Sequence, residues 1–545
     1  MRQVPVPTVP SSTEPVPRAV RTRRLAPRRL APRRVVSGGV EATRDVLPLL
    51  RFRAAGLRGG AKRVAALGFL LIGALTVLAA WLPAYLPGAA GSAGSGVLES
   101  TEVMLLLPSA YLGVLVIAIV SSAASGGGRE LMPREQGVAF PVSPTTDHLG
   151  ALLMAPLNIA WLLQSWVVLG ATAFVVGPTG LLAAQVPVLL WLFVATALAQ
   201  AISWAAEWVR RGPRGAWVVR GTVAALAAAA AVLVATDRLV PLLDEAPTVR
   251  VLLAALDGSE GSWLLWLRTV AILAAAGLAA VVLGALVARA VSRRPARDEL
   301  RVESSVRPPR AHPASDLVAL LRTDRAGIWR SVPLRRGMAV LALLPGLVSL
   351  AGALDWQMLT ILPGLVASGG ALLFGVNSWC LDGRGALWRD SLPVSPLLVF
   401  TSRVLVLLEV LLLATAGTLV LASLRAGLPT VPELVAVLCA AVVVTMQAVS
   451  GSLRWSVRRP FAVDMRSARA TPAPPLVMVG YSARLAFATT FTGMVFIATS
   501  RAPDWRWSVL LALPLVLFSA YRLVRVSGEW ADPERRSLVI ATVAG

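Results

Sequence analysis

Residues 404–415 read VLVLLEVLLLAT, eleven uncharged and mostly aliphatic side chains around one carboxylate, Glu409. Traced outward, the apolar run covers about 399–423. That satisfies the about 20 residues an α-helix needs to cross a hydrocarbon core, where no water is present to satisfy the backbone. Runs of this kind recur along the chain. Of its 545 residues 56% are hydrophobic and only 15% charged, and the mean hydropathy is +0.71, far from a soluble domain. No strand alternation competes with these runs, which argues against a transmembrane barrel. The sequence predicts an all-α polytopic membrane protein.

About 12 transmembrane helices are expected, at 64–86, 103–124, 150–176, 180–204, 217–236, 269–290, 338–354, 357–380, 399–423, 431–453, 484–500 and 507–524. Arginine sets their orientation, because basic residues near the ends of spans are retained in the cytoplasm. Of 52 basic residues only Arg238, Arg250, Arg268, Arg425, Arg501 and Arg506 fall in or beside the expected outer loops. Both termini are therefore expected in the cytoplasm, in a multi-pass protein of the plasma membrane. Trp204, Trp208, Trp263, Trp266, Trp356 and Trp379 lie near span boundaries, as an aromatic belt requires.

The formal charge of +23 follows the inner membrane face, so the partner it implies is the anionic lipid of the inner leaflet and not nucleic acid. Residues 1–45, with the tandem RRLAPRRLAPRR, read as a disordered basic cytoplasmic arm that lacks the apolar core and cleavage site of a signal peptide. A solvated tail that only orients the first helix is the simpler reading of the same residues. Cys380 and Cys439 suggest packing residues and no disulfide framework. His148 and His312 are the only histidines and have no metal-ligand company at a useful spacing.

The chain repeats itself. LPLLRFRAAGLR (47–58) before the first span matches VALLRTDRAGIW (318–329) before the seventh, with an offset of 271 residues. GRELMPREQGVAFPVSP (128–144) after the second span matches GRGALWRDSLPVSP (383–396) after the eighth, the PVSP tetrapeptides being 252 apart. WVRRGP (208–213) and WSVRRP (455–460) follow the fourth and tenth spans. Three collinear matches predict two parallel six-helix repeats, 46–291 and 316–545, related by an axis normal to the membrane. Residues 292–315, polar and proline-containing, form the cytoplasmic linker.

The common catalytic constellations are missing. A P-loop needs Gly-Lys followed by Ser or Thr, and Lys62, the only lysine, precedes Arg63. The chain is therefore expected to hydrolyse no nucleotide, and it carries no G-x-S-x-G elbow, H-E-x-x-H pair or CxxC set. The segments after the second and eighth spans stand out instead. Arg129, Glu130, Arg134 and Glu135 in one, and Arg384, Trp388, Arg389 and Asp390 in the other, alternate with apolar residues ahead of a proline-bounded stop. Each reads as a short amphipathic helix on the cytoplasmic surface, or as a solvated turn obeying the positive-inside rule; the repeat favours a docking element used twice. Glu409 sits near mid-span, where a carboxylate is costly unless protonated or partnered, and Asn158 and Gln164 are candidate partners across a helix interface.

These residues resemble the permease subunits of ATP-binding-cassette exporters with six helices per half. The resemblance implies an interfacial helix before the first span of each half, at 46–60 and 316–335, and coupling helices at 126–144 and 382–396 that dock separate ATPase subunits. It further implies a re-entrant outer segment at 237–268. The second half departs from this pattern, because its outer loop at 501–506 is short. The implied function is the permease of an ATP-driven exporter, a fused pseudo-dimer bound to two ATPase subunits, with no cofactor on this chain and ATP on the partner. Two other readings stay open. A proton-coupled secondary transporter of the major facilitator type also has twelve helices in parallel sets, and LDGRG (381–385) weakly echoes its charged loop. The other is a polytopic scaffold that transports nothing.

Overall fold

The computed structural model describes residues 44–46, 48–49, 60–91, 99–124, 142–157, 159–236, 238, 241–242, 245–294, 313–352, 354–383, 385–461, 473 and 475–544. Among the described residues the chain is helical, with no strand. Residues 1–43 of the basic arm, the segment carrying Arg129, Glu130, Arg134 and Glu135, most of the linker, and the positions of Asn158, His312 and Arg384 lie outside the described residues.

The first half comprises α1 (Gly60–Trp81), α2 (Ser100–Ala124), α3 (Pro144–Met154), α4 (Ile159–Val176), α5 (Leu181–Arg210), α6 (Gly215–Ala235), α7 (Val249–Glu260) and α8 (Trp263–Ser292). The second comprises α9 (Asp316–Arg330), α10 (Val332–Ala351), α11 (Trp356–Leu359), α12 (Leu362–Gly370), α13 (Gly385–Asp390), α14 (Pro396–Ser423), α15 (Val431–Arg458), α16 (Pro475–Ser500), α17 (Arg506–Ala531) and α18 (Pro533–Ala544). Among the described residues six helices are long and apolar enough to cross a membrane: α2, α5, α8, α14, α15 and α17. A seventh span results if α9 and α10, bent by 83°, count as one, and shorter apolar helices lie within 69–85, 161–176, 217–226 and 487–500.

The expected span at 357–380 is broken. After α12 the chain makes a π turn, Ala371–Gly375, and then a 3-10 turn, Ser378–Leu381. Gly369, Gly370 and Gly375 weaken the α-helical hydrogen-bond ladder here, and a π turn is a frequent mark of a functional site. The bend between α9 and α10 also has a local cause. Ser331 is extended (φ −72°, ψ 109°), and the proline in the first turn of α10 has no amide hydrogen to continue α9.

Each half has its own core. Leu107, Tyr111, Leu169, Val188, Leu192 and Leu252 pack the first; Phe374, Phe400, Leu407, Val444, Leu453 and Trp530 pack the second. Small polar groups pin the helices together within the apolar surroundings. The Tyr111 and Thr172 hydroxyls lie 2.7 Å apart, and the Gln185 amide donates to the carbonyls of Ala80 and Leu169, each at 3.0 Å. In the first half α5 packs on α8, and in the second α15 packs on α17. Their ends are tied by arginines: Arg211 Nη1 donates to the Val291 carbonyl at 3.2 Å, and Arg458 pairs with Glu529. Ser143 and Ser395 of the two PVSP sequences are the N-caps of α3 and α14, each followed by proline at the first helical position. Contact between the halves runs through α10 on α2 and α16 on α4.

The expected re-entrant outer segment contains α7, a short helix that buries Val251, Leu252, Ala254, Ala255 and Gly258 against its neighbours. Thr248 Oγ1 holds its start to the Pro108 carbonyl at 2.8 Å, and Trp266 Nε1 donates to the Ala183 carbonyl at 2.9 Å beside it.

Candidate functional site

Among the described residues a buried polar cluster lies in the second half, where four charged side chains from four elements meet. Asp324 comes from α9, Asp382 from just after the 3-10 turn, Arg389 from α13 and Arg403 from the second turn of α14. Arg389 grips Asp324 with both terminal nitrogens, at 2.6 and 3.1 Å, and reaches Asp382 at 2.9 Å. Arg403 Nη2 donates to both Asp382 oxygens at 2.8 Å and to Asp324 Oδ1 at 3.1 Å, and its Nη1 donates to the Ser378 carbonyl at 2.6 Å. Ser402 Oγ adds a donor to Asp324 Oδ2 at 2.7 Å. Arg403 is wholly enclosed and Asp324 is 2% exposed.

Two carboxylates and two guanidiniums leave the cluster electrically neutral, which is what makes burial tolerable: desolvating an unpaired charge costs several kcal/mol, roughly. The planar guanidinium fork matches a carboxylate edge, so the geometry is fixed as well as the charge. Burial opposes the charge on Arg389, but Asp382 and Asp324 outweigh it and hold its pKa above the ordinary arginine value. These ion pairs lock α9, α13 and α14 into one body.

A second layer supports the first. Trp379 and Trp530 stack with ring centroids 3.9 Å apart and planes within 6°, and Arg403 lies 5.1 Å from the Trp379 centroid. Trp530 Nε1 donates to the Pro396 carbonyl at 3.1 Å, which ties the end of α17 to the start of α14. The C-terminal helix α18 packs on α13, with Arg536 pairing to Asp390 at 3.0 Å. Between them is a cleft of about 310 Å³ whose walls include Trp379, Asp390, Val394, Trp530, Arg536 and Ile540.

The residues expected from sequence separate into distinct roles. Arg389 is enclosed and committed to the quartet, so its guanidinium is an anchor and not a surface contact. Asp390 is exposed and bound to Arg536. Leu387 and Trp388 are 58% and 65% exposed, on the side of α13 opposite Ala386 and Arg389. The partner of Glu409 is Arg325 of α9, at 2.8 Å, so a cation takes the place of the amides expected at 158 and 164. Gln164 is half-buried in α4. The reason is topological: α9 packs along α14 and brings Arg325 within reach of Glu409, about 10 Å further along α14 than Ser402.

Asp324, Asp382, Arg403 and the tryptophan stack were not picked out from the sequence. One signal was available: Arg403 interrupts an apolar span, and a cation there demands a partner. The sequence does not repeat the quartet in the first half. Along the matched segments GRELMPRE and GRGALWRD, 255 residues apart, Arg389 corresponds to Arg134, whereas at the offsets of 271 and 252 the positions of Asp324 and Arg403 carry Arg53 and Ala151.

Comparison of the chain with family models, curated proteins and solved structures returns no match. Among the described residues no group of His, Cys, Asp or Glu is arranged to hold a metal ion.

Proposed function

We propose that the chain is the membrane-spanning permease of an ATP-driven exporter, with about twelve spans in two parallel six-helix halves and both termini in the cytoplasm of a plasma-membrane protein. ATP is hydrolysed on separate ATP-binding-cassette subunits, two per chain, that dock on the segments after the second and eighth spans. The observation that carries this reading is the two-sided character of α13. Its Arg389 side is bonded to Asp324 of α9, which Arg403 of α14 also grips, whereas Leu387 and Trp388 project from a helix too short to enter a bilayer. An exposed tryptophan on a rigid support, flanked by an exposed leucine, has the make-up of an interface hot spot, in which tryptophan is enriched. A push on that pair reaches α9 and α14 through bonds of 2.6–3.1 Å. The recurrent Ser-Pro caps and the recurrent packing of fourth helix on sixth support the two-half arrangement.

The test is co-purification. Tagged full-length chain extracted from membranes is expected to carry a P-loop ATPase at about two copies. Leu387→Ala with Trp388→Ala is expected to insert normally and to lose at least about tenfold of the ATPase bound to the α13 side, since truncating a hot-spot tryptophan costs roughly 2 kcal/mol or more. Wild-type chain that purifies with no nucleotide-hydrolysing subunit, or a double variant that retains its full complement, would overturn the reading.

A further inference from the structure

Where α15 ends and α16 begins, three helices bring a set of arginines together that the quartet does not use. Arg454 and Arg458 lie on α15, Arg484 on α16, and Arg522 and Arg525 on α17. Tyr481 closes the junction, its hydroxyl 3.0 Å from that of Ser452 and its ring 5.3 Å from Trp455. Arg522 is within electrostatic reach of Arg454, Arg484 and Arg458. The nearby carboxylate, Glu529, is engaged by Arg458, which approaches it with Nε at 2.9 Å and with Nη2. Arg454, Arg484, Arg522 and Arg525 form no ion pair among the described residues. The Nε of Arg522 is enclosed and has no hydrogen-bond partner.

Like charges gathered at one junction repel one another, and an anion seated among them relieves that repulsion. Helix geometry puts Arg454 about 6 Å from the end of α15, Arg525 and Arg522 about 9 and 14 Å from the end of α17, and Arg484 about 14 Å from the start of α16. These depths suit a lipid headgroup. From Arg484 an exposed apolar stripe runs along one face of α16 through Phe487, Phe491 and Met494. Its length is roughly 15 Å, half of a 30 Å hydrocarbon core and thus one leaflet. A soluble anion has no use for such a stripe.

We propose that Arg454, Arg484, Arg522 and Arg525 form a binding site for the phosphate headgroup of an anionic phospholipid, whose acyl chain lies along Phe487, Phe491 and Met494. The site lies in the leaflet at which α15 ends, and it stands independently of the permease reading.

Native mass spectrometry of the full-length chain in detergent, titrated with phosphatidylglycerol and with phosphatidylcholine, tests it. Wild-type chain is expected to retain phosphatidylglycerol in preference. Arg484→Gln with Arg522→Gln is expected to weaken that binding about thirtyfold, the effect of two basic residues at a charged lipid surface. The charge-conserving pair Arg484→Lys with Arg522→Lys is expected to retain it within about threefold. Equal retention of both lipids by the wild type, unchanged binding by the glutamine variant, or loss of binding by the lysine variant would overturn the proposal. Glycerol phosphate, which lacks acyl chains, is expected to compete poorly; displacement of the lipid at equal concentration would show a site for free phosphate and overturn the lipid assignment.

Discussion

Asp324→Asn is expected to destabilise the second half by about 3–5 kcal/mol, the cost of removing one partner from a buried ion-pair cluster. The neutral amide cannot balance Arg389 and Arg403, so a positive charge is left in an enclosed site. It also turns a donor toward Ser402 or toward a guanidinium, where every existing bond to Asp324 is accepted by its carboxylate. Unfolding of the purified protein in detergent, followed by heat or by titration with a denaturing detergent, reads the effect. The variant Asp324→Asn with Arg403→Gln removes one charge of each sign. It is expected to lose less than the two single variants added together, with a coupling energy of roughly 1–3 kcal/mol. A single variant that unfolds within about 0.5 kcal/mol of the wild type would mean that the quartet contributes nothing to stability.

Gly180→Ala carries the second large effect, in the first half. The turn between α4 and α5 has Gly177 at φ +75° and Gly180 at φ +64°, both in the left-handed region that L side chains avoid at a cost of roughly 1–2 kcal/mol. At Gly180 a Cβ would also stand 2.5 Å from the Ser259 Cα and 2.7 Å from its carbonyl oxygen. The obstruction is backbone and cannot rotate away, so α7 must shift from its seat on α5. The expected loss is on the order of 3 kcal/mol, strain and displacement together. Gly427→Ala is the matched control, because Gly427 has φ +73° and nothing within 4 Å of its would-be Cβ. If both variants lower the unfolding midpoint equally, the close approach of α7 to the turn contributes nothing and only the dihedral matters.

The asymmetry of the quartet bears on the proposed permease function. Arg53 and Ala151, at the positions matching Asp324 and Arg403, supply neither the buried carboxylate nor the second guanidinium of the cluster in the second half. If the two surface segments receive motion from ATPases, the second transmits it through a buried ionic joint and the first through some other contact. Substitutions in the quartet are then expected to impair one of two docking positions, leaving about half of the bound ATPase in place. Counting ATPase copies on the variants reads this directly.

Membrane embedding and the helical class were legible from the amino acids, because the need to satisfy every backbone group within a span writes itself into local composition. Prolines and serines at 143–144 and 395–396 likewise announced where two helices begin, since N-capping is decided by adjacent residues. The span expected at 357–380 rests on high apolar content, whereas the chain there leaves the α-helix for a π turn at Ala371–Gly375, with Gly369 and Gly370 seated close to Leu341 and Leu411. Arg389 showed the sharper limit. Its neighbours mark it as a surface charge, but Asp324, 65 positions earlier, draws it inside. Glu409 behaves alike: the sequence establishes that it needs a partner, and only the placement of α9 along α14 selects Arg325. Local sequence determines what each segment is, because propensity and hydrophobicity act over a few residues. Which charges meet was settled by tertiary structure, because Coulomb attraction depends on distance in space and is indifferent to separation along the chain.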